Sequence, residues 1–289
     1  MSKNTGYIPF LKVESVGNHF VLIDSLDMAE MDWPSLATIM CTHRFGIGAD
    51  GLLVLLPSKK ADFRFRMFNP DGTEDICANG MRCATAYMHT TGQISKETAI
   101  IEAGDGLHDA EILGKESDVV NVRLNMKQPS FKPQDIPALV EADAMVNYPL
   151  DIGGSIYHVT VVSIGTPHAV MFTSSYPVEE SFLEVSQKIE RHPMFPKRIN
   201  VTWCTVESSD SLKIQTWERG VGPTLGCGTG ACAALAAAHI TGLASNTAWV
   251  RSSGGQLYVE WPHEQDIFVS GATRIVYEGK WTLIQTEQT

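Results

Sequence analysis

Shifting the chain by 150 positions lays its second half on its first, and this self-match restricts the possible folds more than any other feature. Cys77 falls on Cys227, Gly80 on Gly230, Ala84 on Ala234, Gly92 on Gly242, Ser95 on Ser245, Gly104 on Gly254 and Leu107 on Leu257, without a gap. Gly and Ala match often by chance; a gapless series that also carries Cys and Ser marks a duplicated architecture. At 289 residues, and with about 150 residues per domain, two domains are expected. Pro129, Lys132, Pro133 and Pro137 interrupt the pattern across 127–137 and mark the junction.

Each half reads as an apolar strand (62–68; 212–217), a polar turn, a cysteine and a helix. The helices are expected from Gly80 to His89 and, Ala-rich, from Gly230 to Ile240, with Gly92 and Gly242 as terminators that tolerate a left-handed backbone. Runs at 20–23, 52–56, 119–124, 157–164 and 256–261 read as further strands, and 46–51 as a turn feeding one of them, lacking the Gly-Lys-Ser/Thr ending of a phosphate loop. The expected class is α+β: two similar domains related by a pseudo-twofold axis, each a curled sheet or barrel around a central helix, with the active site in the cleft between them.

Both cysteines then sit at helix N-termini, where unpaired N–H groups and the macrodipole favour a thiolate and also bind a carboxylate. Two such sites facing each other can hold a substrate carboxylate between them with one sulfur on each face of its α-carbon. That arrangement removes a proton from one side and returns one from the other. Small residues after each cysteine, Ala78 and Gly228, let backbone amides approach closely. An α-proton is far less acidic than a thiol, and no cofactor-linked lysine motif offers an electron sink, so directed donors and exclusion of water must stabilise the carbanion.

Plainer readings stand beside this one. Cys41, Cys83, Cys204 and Cys232 read as buried small hydrophobes. The intervals from Cys77 to Cys83 and from Cys227 to Cys232 are not the close pairs of a zinc ribbon, so no metal site is expected. Two facing thiols can oxidise, yet no Cys-x-x-Cys pair points to a dedicated oxidoreductase. The net charge of −11 argues against a nucleic-acid partner, and no apolar run is long enough for a membrane span. Residues 1–10 lack the basic-then-apolar pattern of a secretory leader, and six cysteines in such a chain suit the reducing cytoplasm.

An ordered set of motifs runs along essentially the whole chain: Gly17-Asn18-His19-Phe20, Phe45-Gly46-Ile47-Gly48-Ala49-Asp50-Gly51, Phe68-Asn69-Pro70-Asp71-Gly72, Cys77-Ala78-Asn79-Gly80-Met81-Arg82-Cys83, Gly165-Thr166-Pro167-His168, Arg198-Ile199-Asn200-Val201, Glu218-Arg219-Gly220 and Cys227-Gly228-Thr229-Gly230. Together they resemble the diaminopimelate epimerase family of cofactor-independent two-cysteine racemases. The resemblance implies two barrel-like domains, 1–127 with a returning 276–289, and 128–275. It makes Cys77 and Cys227 the acid/base pair, and His168 and Glu218 polar neighbours that set thiol protonation. Amides of Asn79, Gly80, Gly228 and Thr229 match a carboxylate cradle, while Asn18, Asn69, Thr166, Asn200 and Arg219 match substrate contacts.

Asn69 and Asn200 also suit a backbone-capping role, and His168, after Gly-x-Pro, is expected on a loop. Ala78, Thr166 and Pro223 depart from the family's commoner Gly, Asn and acidic residue; Pro223 is expected in a turn. The implied activity is inversion between L,L- and meso-diaminopimelate for lysine and peptidoglycan precursor synthesis, without a cofactor or metal. The partner is then a small amino acid, and a homodimer is compatible with that activity. The alternatives are a racemase of another amino acid on the same scaffold and, from another class, a non-catalytic binding or redox-sensing relative.

Overall fold

The computed structural model describes residues 6–262 and 265–282, and they divide into two compact units. The first holds residues 6–15, His19–Val122 and 272–282; the second holds Val16–Asn18 and Arg123–Gly271. The divisions at 122/123 and 271/272 stand a few residues before the expected 127/128 and 275/276; strand Val119–Asn125 runs through the first of them, and of the prolines only Pro133 falls in a 3-10 turn, Pro133–Asp135, beyond it. The part of the expected return that covers 283–289 lies outside the described residues, as does 1–5.

The first half of the chain contributes β1 (Tyr7–Ser15), β2 (Asn18–Asp24), α1 (Trp33–Met40), β3 (Gly51–Leu56), β4 (Phe63–Phe68), β5 (Glu74–Asp75), α2 (Ala78–Thr90), β6 (Thr98–Ala103), β7 (Gly106–Glu116) and β8 (Val119–Asn125). The second contributes β9 (Tyr148–Ile152), β10 (Ser155–Ile164), β11 (Thr166–Phe172), α3 (Glu179–Glu190), β12 (Asn200–Ser208), β13 (Ser211–Glu218), β14 (Gly222–Thr224), α4 (Gly228–Ile240), β15 (Thr247–Ser252), β16 (Gly255–Glu260) and β17 (Phe268–Thr282). Helices α2 and α4 are offset by 150 at both ends, and each begins two residues before the expected Gly because the cysteine itself is the N-cap.

The pairing repeats as well. In the first unit β2 lies parallel to β3, β3 antiparallel to β4, β4 parallel to β6 and β6 antiparallel to β7. In the second, β11, β12, β13, β15 and β16 follow the same sequence of parallel and antiparallel steps. Strand β17 pairs with β16 through its first residues and with β1 from Tyr7 to Glu14 through the rest.

Each sheet curls around its own helix. Every residue of α2 from Ala78 to Met88, and of α4 from Gly228 to Ala238, is buried, which requires enclosure on all sides. Ala-rich α4 combines the strongest intrinsic helix propensity with little bulk, so strands approach it closely. A second helix covers the opposite face of each sheet. In the first unit Trp33, Ala37 and Met40 of α1 pack with Val21, Ile23, Leu52 and Val54, while Leu53 points instead toward Gly80 of α2. Burial on both faces explains the continuous apolar run from Leu52 to Leu55. In the second unit Phe182, Val185 and Ile189 of α3 pack against Val159, Val161, Val201 and Trp203. Each such side chain, fully buried, contributes about 1.5–3 kcal/mol.

Candidate active site

The two cysteine caps share one backbone geometry. Cys77 has φ −132° and ψ 107°, Cys227 φ −129° and ψ 116°, both extended residues placed just ahead of a helix. The N–H of Gly80 donates to Cys77 Sγ at 3.3 Å and that of Gly230 to Cys227 Sγ at 3.4 Å. Each sulfur therefore takes up a first-turn donor and lies at the positive end of a helix dipole. The Gly80 N–H, which the resemblance assigns to a carboxylate cradle, is directed at sulfur instead. A side chain at Gly80 would collide with Leu53 Cδ2 at 2.8 Å. Ala78 is not among the positive-φ residues, so its methyl replaces Gly without backbone strain.

Around the first cap, Asn79 is buried, and its Oδ1 accepts from Arg82 Nη2 at 2.7 Å. Arg82, fully enclosed, also donates to Ser15 Oγ at 2.9 Å. Asn69 closes the turn after β4: its Nδ2 donates to Thr73 Oγ1 at 3.1 Å and its N–H to the Thr73 carbonyl at 2.8 Å. This is the capping role open to it from sequence. Asn18 begins β2 and is half-buried.

Around the second cap the strands carry a polar row. The parallel register of β11 and β12 sets His168 beside Asn200, and the antiparallel register of β12 and β13 sets Thr202 beside Thr216. His168, in a strand rather than on the expected loop, is completely buried. Its Nδ1 lies 3.1 Å from Thr202 Oγ1; its Nε2 lies 3.0 Å from Thr229 Oγ1 and 3.4 Å from both Asn200 Nδ2 and Thr166 Oγ1. Thr229 Oγ1 is in turn 3.3 Å from Cys227 Sγ. Burial, helped by the charge of Arg219, pushes the His168 pKa down to about 3, so the ring is neutral at physiological pH.

The Glu218–Arg219–Gly220 turn is held from two elements. Asn200 Oδ1 accepts the Arg219 N–H at 2.9 Å, and the buried Glu190 carboxylate at the end of α3 accepts the N–H of Gly220 at 2.9 Å and Trp217 Nε1–H at 2.9 Å. Glu218 itself accepts from Thr224 Oγ1 at 2.7 Å. The Arg219 guanidinium makes no hydrogen bond or ion pair among the described residues. Pro223 stands in β14, opposite Trp217, rather than in a turn; its exposed position in a short strand tolerates the missing donor.

Hydrogen bonds thus bring together Cys227, Thr229, His168, Thr166, Asn200 and the Arg219 backbone in the second unit, and Cys77, Asn79 and Gly80 stand on one helix turn in the first. Sequence reading missed Thr202, Thr216 and Glu190. A signal existed for the first two, since Asn200 and Thr202 share one face of β12, and Thr216 and Glu218 continue the face that Leu212 and Ile214 begin in β13. Cys41, Cys83, Cys204 and Cys232 are buried, and burial pushes the Cys41 and Cys204 thiols up to about 12.

The family described as Diaminopimelate epimerase matches the chain over residues 10–132 and 160–277. A diaminopimelate epimerase from Desulfitobacterium hafniense is 37% identical over 273 residues, covering 93% of this chain and 96% of that protein. One from Desulforudis audaxviator is 40% identical over 275 residues, covering 94% and 98%. Among solved structures, a probable proline racemase from Agrobacterium radiobacter superposes with a TM-score of 0.74 at 16% identity, covering 97% of this chain and 94% of that one. A hydroxyproline epimerase from Agrobacterium vitis gives 0.71 at 15% identity, covering 98% and 93%. At those identities the likeness concerns the fold alone.

Proposed function

This chain belongs to the diaminopimelate epimerase family, and from that premise we propose that it is an isomerase that inverts one α-carbon of diaminopimelate, interconverting the L,L and meso forms with Cys77 and Cys227 as the two bases. The observation that carries the reading is the matched pair of caps, each sulfur held at a helix N-terminus by a glycine N–H. One sulfur, as thiolate, takes the α-proton; the other, as thiol, delivers a proton to the opposite face. First-turn amides, those of Asn79, Gly228 and Thr229, hold the α-carboxylate and stabilise charge developing on it.

His168 and Glu218 set the protonation of the nearby thiol, the former as a neutral ring. Arg219, whose guanidinium is uncommitted among the described residues, grips the distal carboxylate in a bidentate manner, with Asn18, Asn69, Thr166 and Asn200 lining the remaining contacts. The product serves lysine and peptidoglycan precursor synthesis in the cytoplasm, a compartment that suits six cysteines outside any disulfide. A homodimer is the expected assembly, and sedimentation checks it.

The test is α-proton exchange in deuterated water across a panel of amino acids that includes diaminopimelate. Early turnovers should place deuterium on the inverted carbon of the product while recovered starting isomer stays nearly unlabelled. Preferential turnover of a monocarboxylic amino acid would overturn the substrate, and equal early labelling of both isomers would overturn the two-base scheme.

A further inference from the structure

The hydrogen-bond partners of His168 fix where its proton sits. Asn200 Oδ1 receives the N–H of Arg219, a donor, at 2.9 Å, so the other end of that amide is its NH2 group. That group donates to the Pro167 carbonyl at 3.1 Å and faces His168 Nε2 at 3.4 Å. An amide nitrogen only donates, so Nε2 presents its lone pair. A neutral ring then carries its proton on Nδ1, where Thr202 Oγ1 at 3.1 Å accepts it. With Nε2 an acceptor, the Thr229 hydroxyl at 3.0 Å donates to it and turns an oxygen lone pair toward Cys227 Sγ, 3.3 Å away.

We infer that Thr202 and Asn200 are positioning residues that lock His168 in its Nδ1–H tautomer, and that the Thr229 hydroxyl links this locked ring to the protonation state of Cys227. In the thiol state the chain runs from S–H to the Thr229 oxygen and from the Thr229 hydroxyl to Nε2. In the thiolate state the same hydroxyl rotates and donates to sulfur. Nε2 then keeps the Asn200 amide, and Thr166 Oγ1 at 3.4 Å can donate to it. The thiol's own proton passes to the substrate α-carbon, His168 and Thr229 keep theirs, and the Thr229 hydroxyl changes the atom it faces. Thr229 therefore has two separate duties, its amide toward the substrate carboxylate and its side chain toward the base. With Nε2 protonated instead, two donors would meet at 3.4 Å in a site closed to water, at a cost that excludes that tautomer.

The inference rests on Cys227 acting as an acid/base, but its decisive measurement needs no substrate. Long-range 15N–1H correlation spectra of the labelled full-length protein, with His168 assigned by its loss in His168→Gln, should show the proton on Nδ1. A proton on Nε2 in the wild type would overturn the inference outright. Thr202→Val should mix the tautomers and lower kcat on the order of tenfold with KM nearly unchanged, and Thr202→Ser should restore both. Thr229→Val should keep the Nδ1–H tautomer yet lower kcat by a similar factor. An unchanged tautomer and kcat in Thr202→Val, or an unchanged kcat in Thr229→Val, would also overturn it. If Thr202→Val fails to fold, the wild-type spectrum alone decides. A protein inert toward diaminopimelate but with the stated tautomer would sink the substrate assignment and leave the hydrogen-bond chain standing.

Discussion

Cys77 and Cys227 occupy nearly identical backbone caps, yet the positions that correspond to one another around them carry different chemistry. Laying the β2–β3–β4 pairing of the first unit on the β11–β12–β13 pairing of the second sets Phe20 on His168, Gly51 on Asn200, Leu53 on Thr202 and Met67 on Thr216, and the helix offset sets Asn79 on Thr229. The second unit surrounds its sulfur with a buried polar network centred on a neutral imidazole. The first has the apolar side chains of Leu53 and Phe65 against the first turn of its helix and, on that helix, a buried Arg82–Asn79 pair. What was kept between the halves is the part that backbone alone provides, a helix N-terminus aimed at sulfur. What diverged is the part that side chains provide, hydroxyls, an amide and an imidazole in one unit against apolar groups in the other.

The sharpest challenge to this comparison is removal of either sulfur. Under the proposed two-base scheme each variant deletes the only base on its face, so Cys77→Ala and Cys227→Ala should each lower inversion by at least about 10²–10⁴-fold. Proton exchange in deuterated water measures it, and a variant that still inverted would reduce its cysteine to a cap.

A second difference shows in acid. Folded His168 stays neutral down to about pH 3, whereas in the unfolded chain it takes up a proton near 6.5. The unfolded state binds more protons between those limits, so this group's contribution to stability is lost as pH falls from about 6.5 to 3, by at most about 1.4 kcal/mol per pH unit. Urea unfolding of wild type and His168→Gln across that range should give a shallower slope for the variant. Parallel slopes would mean that the ring is protonated in the folded state.

Arg219 and Asn69 form the third contrast. Arg219→Lys keeps the charge but loses the planar fork and should lower kcat/KM for diaminopimelate by roughly tenfold or more. Asn69→Ala, whose amide is already committed to Thr73, should mainly cost about 0.5–1.5 kcal/mol of stability. If kcat/KM falls further for Asn69→Ala than for Arg219→Lys, the contrast is reversed.

The smallest separation is expected at the capping glycines. A Cβ at Gly80 meets the apolar walls Leu53 and Phe65, at 2.8 and 3.0 Å, and should cost about 1–3 kcal/mol in thermal unfolding. At Gly230 it meets the hydroxyls of Thr216 and Thr202, at 3.1 and 3.3 Å, and should disturb kcat more than stability. Equal stability losses with equal kcat would erase the distinction between the two caps.

The duplication and both central helices were open to a reader of the sequence because they are local: a cysteine, a small-residue turn and a terminating glycine each act within a few positions. Gly92 and Gly242 do adopt the left-handed backbone expected of them, both at φ 74°. The polar row around His168 was not visible in that way. Thr202 and Glu190 matter only because strand register and the end of α3 carry them to His168 and Gly220, relations no local pattern encodes. The same holds for the first division near Val122, where the strand pattern continues and only packing partners change.

Strand β17 has a consequence for how the protein is made. Tyr7 pairs with Thr282, so β1 finds its β17 partner only after all the intervening strands and helices have been synthesised. Until then one edge of β1 is an open template for wrong partners, and pairing over so long a sequence interval is slow. The second unit needs only the first residues of β17 to finish its sheet. Along β17 the residues that close the second unit against β16 therefore emerge before those that close the first unit against β1, although β1 itself is made long before β16.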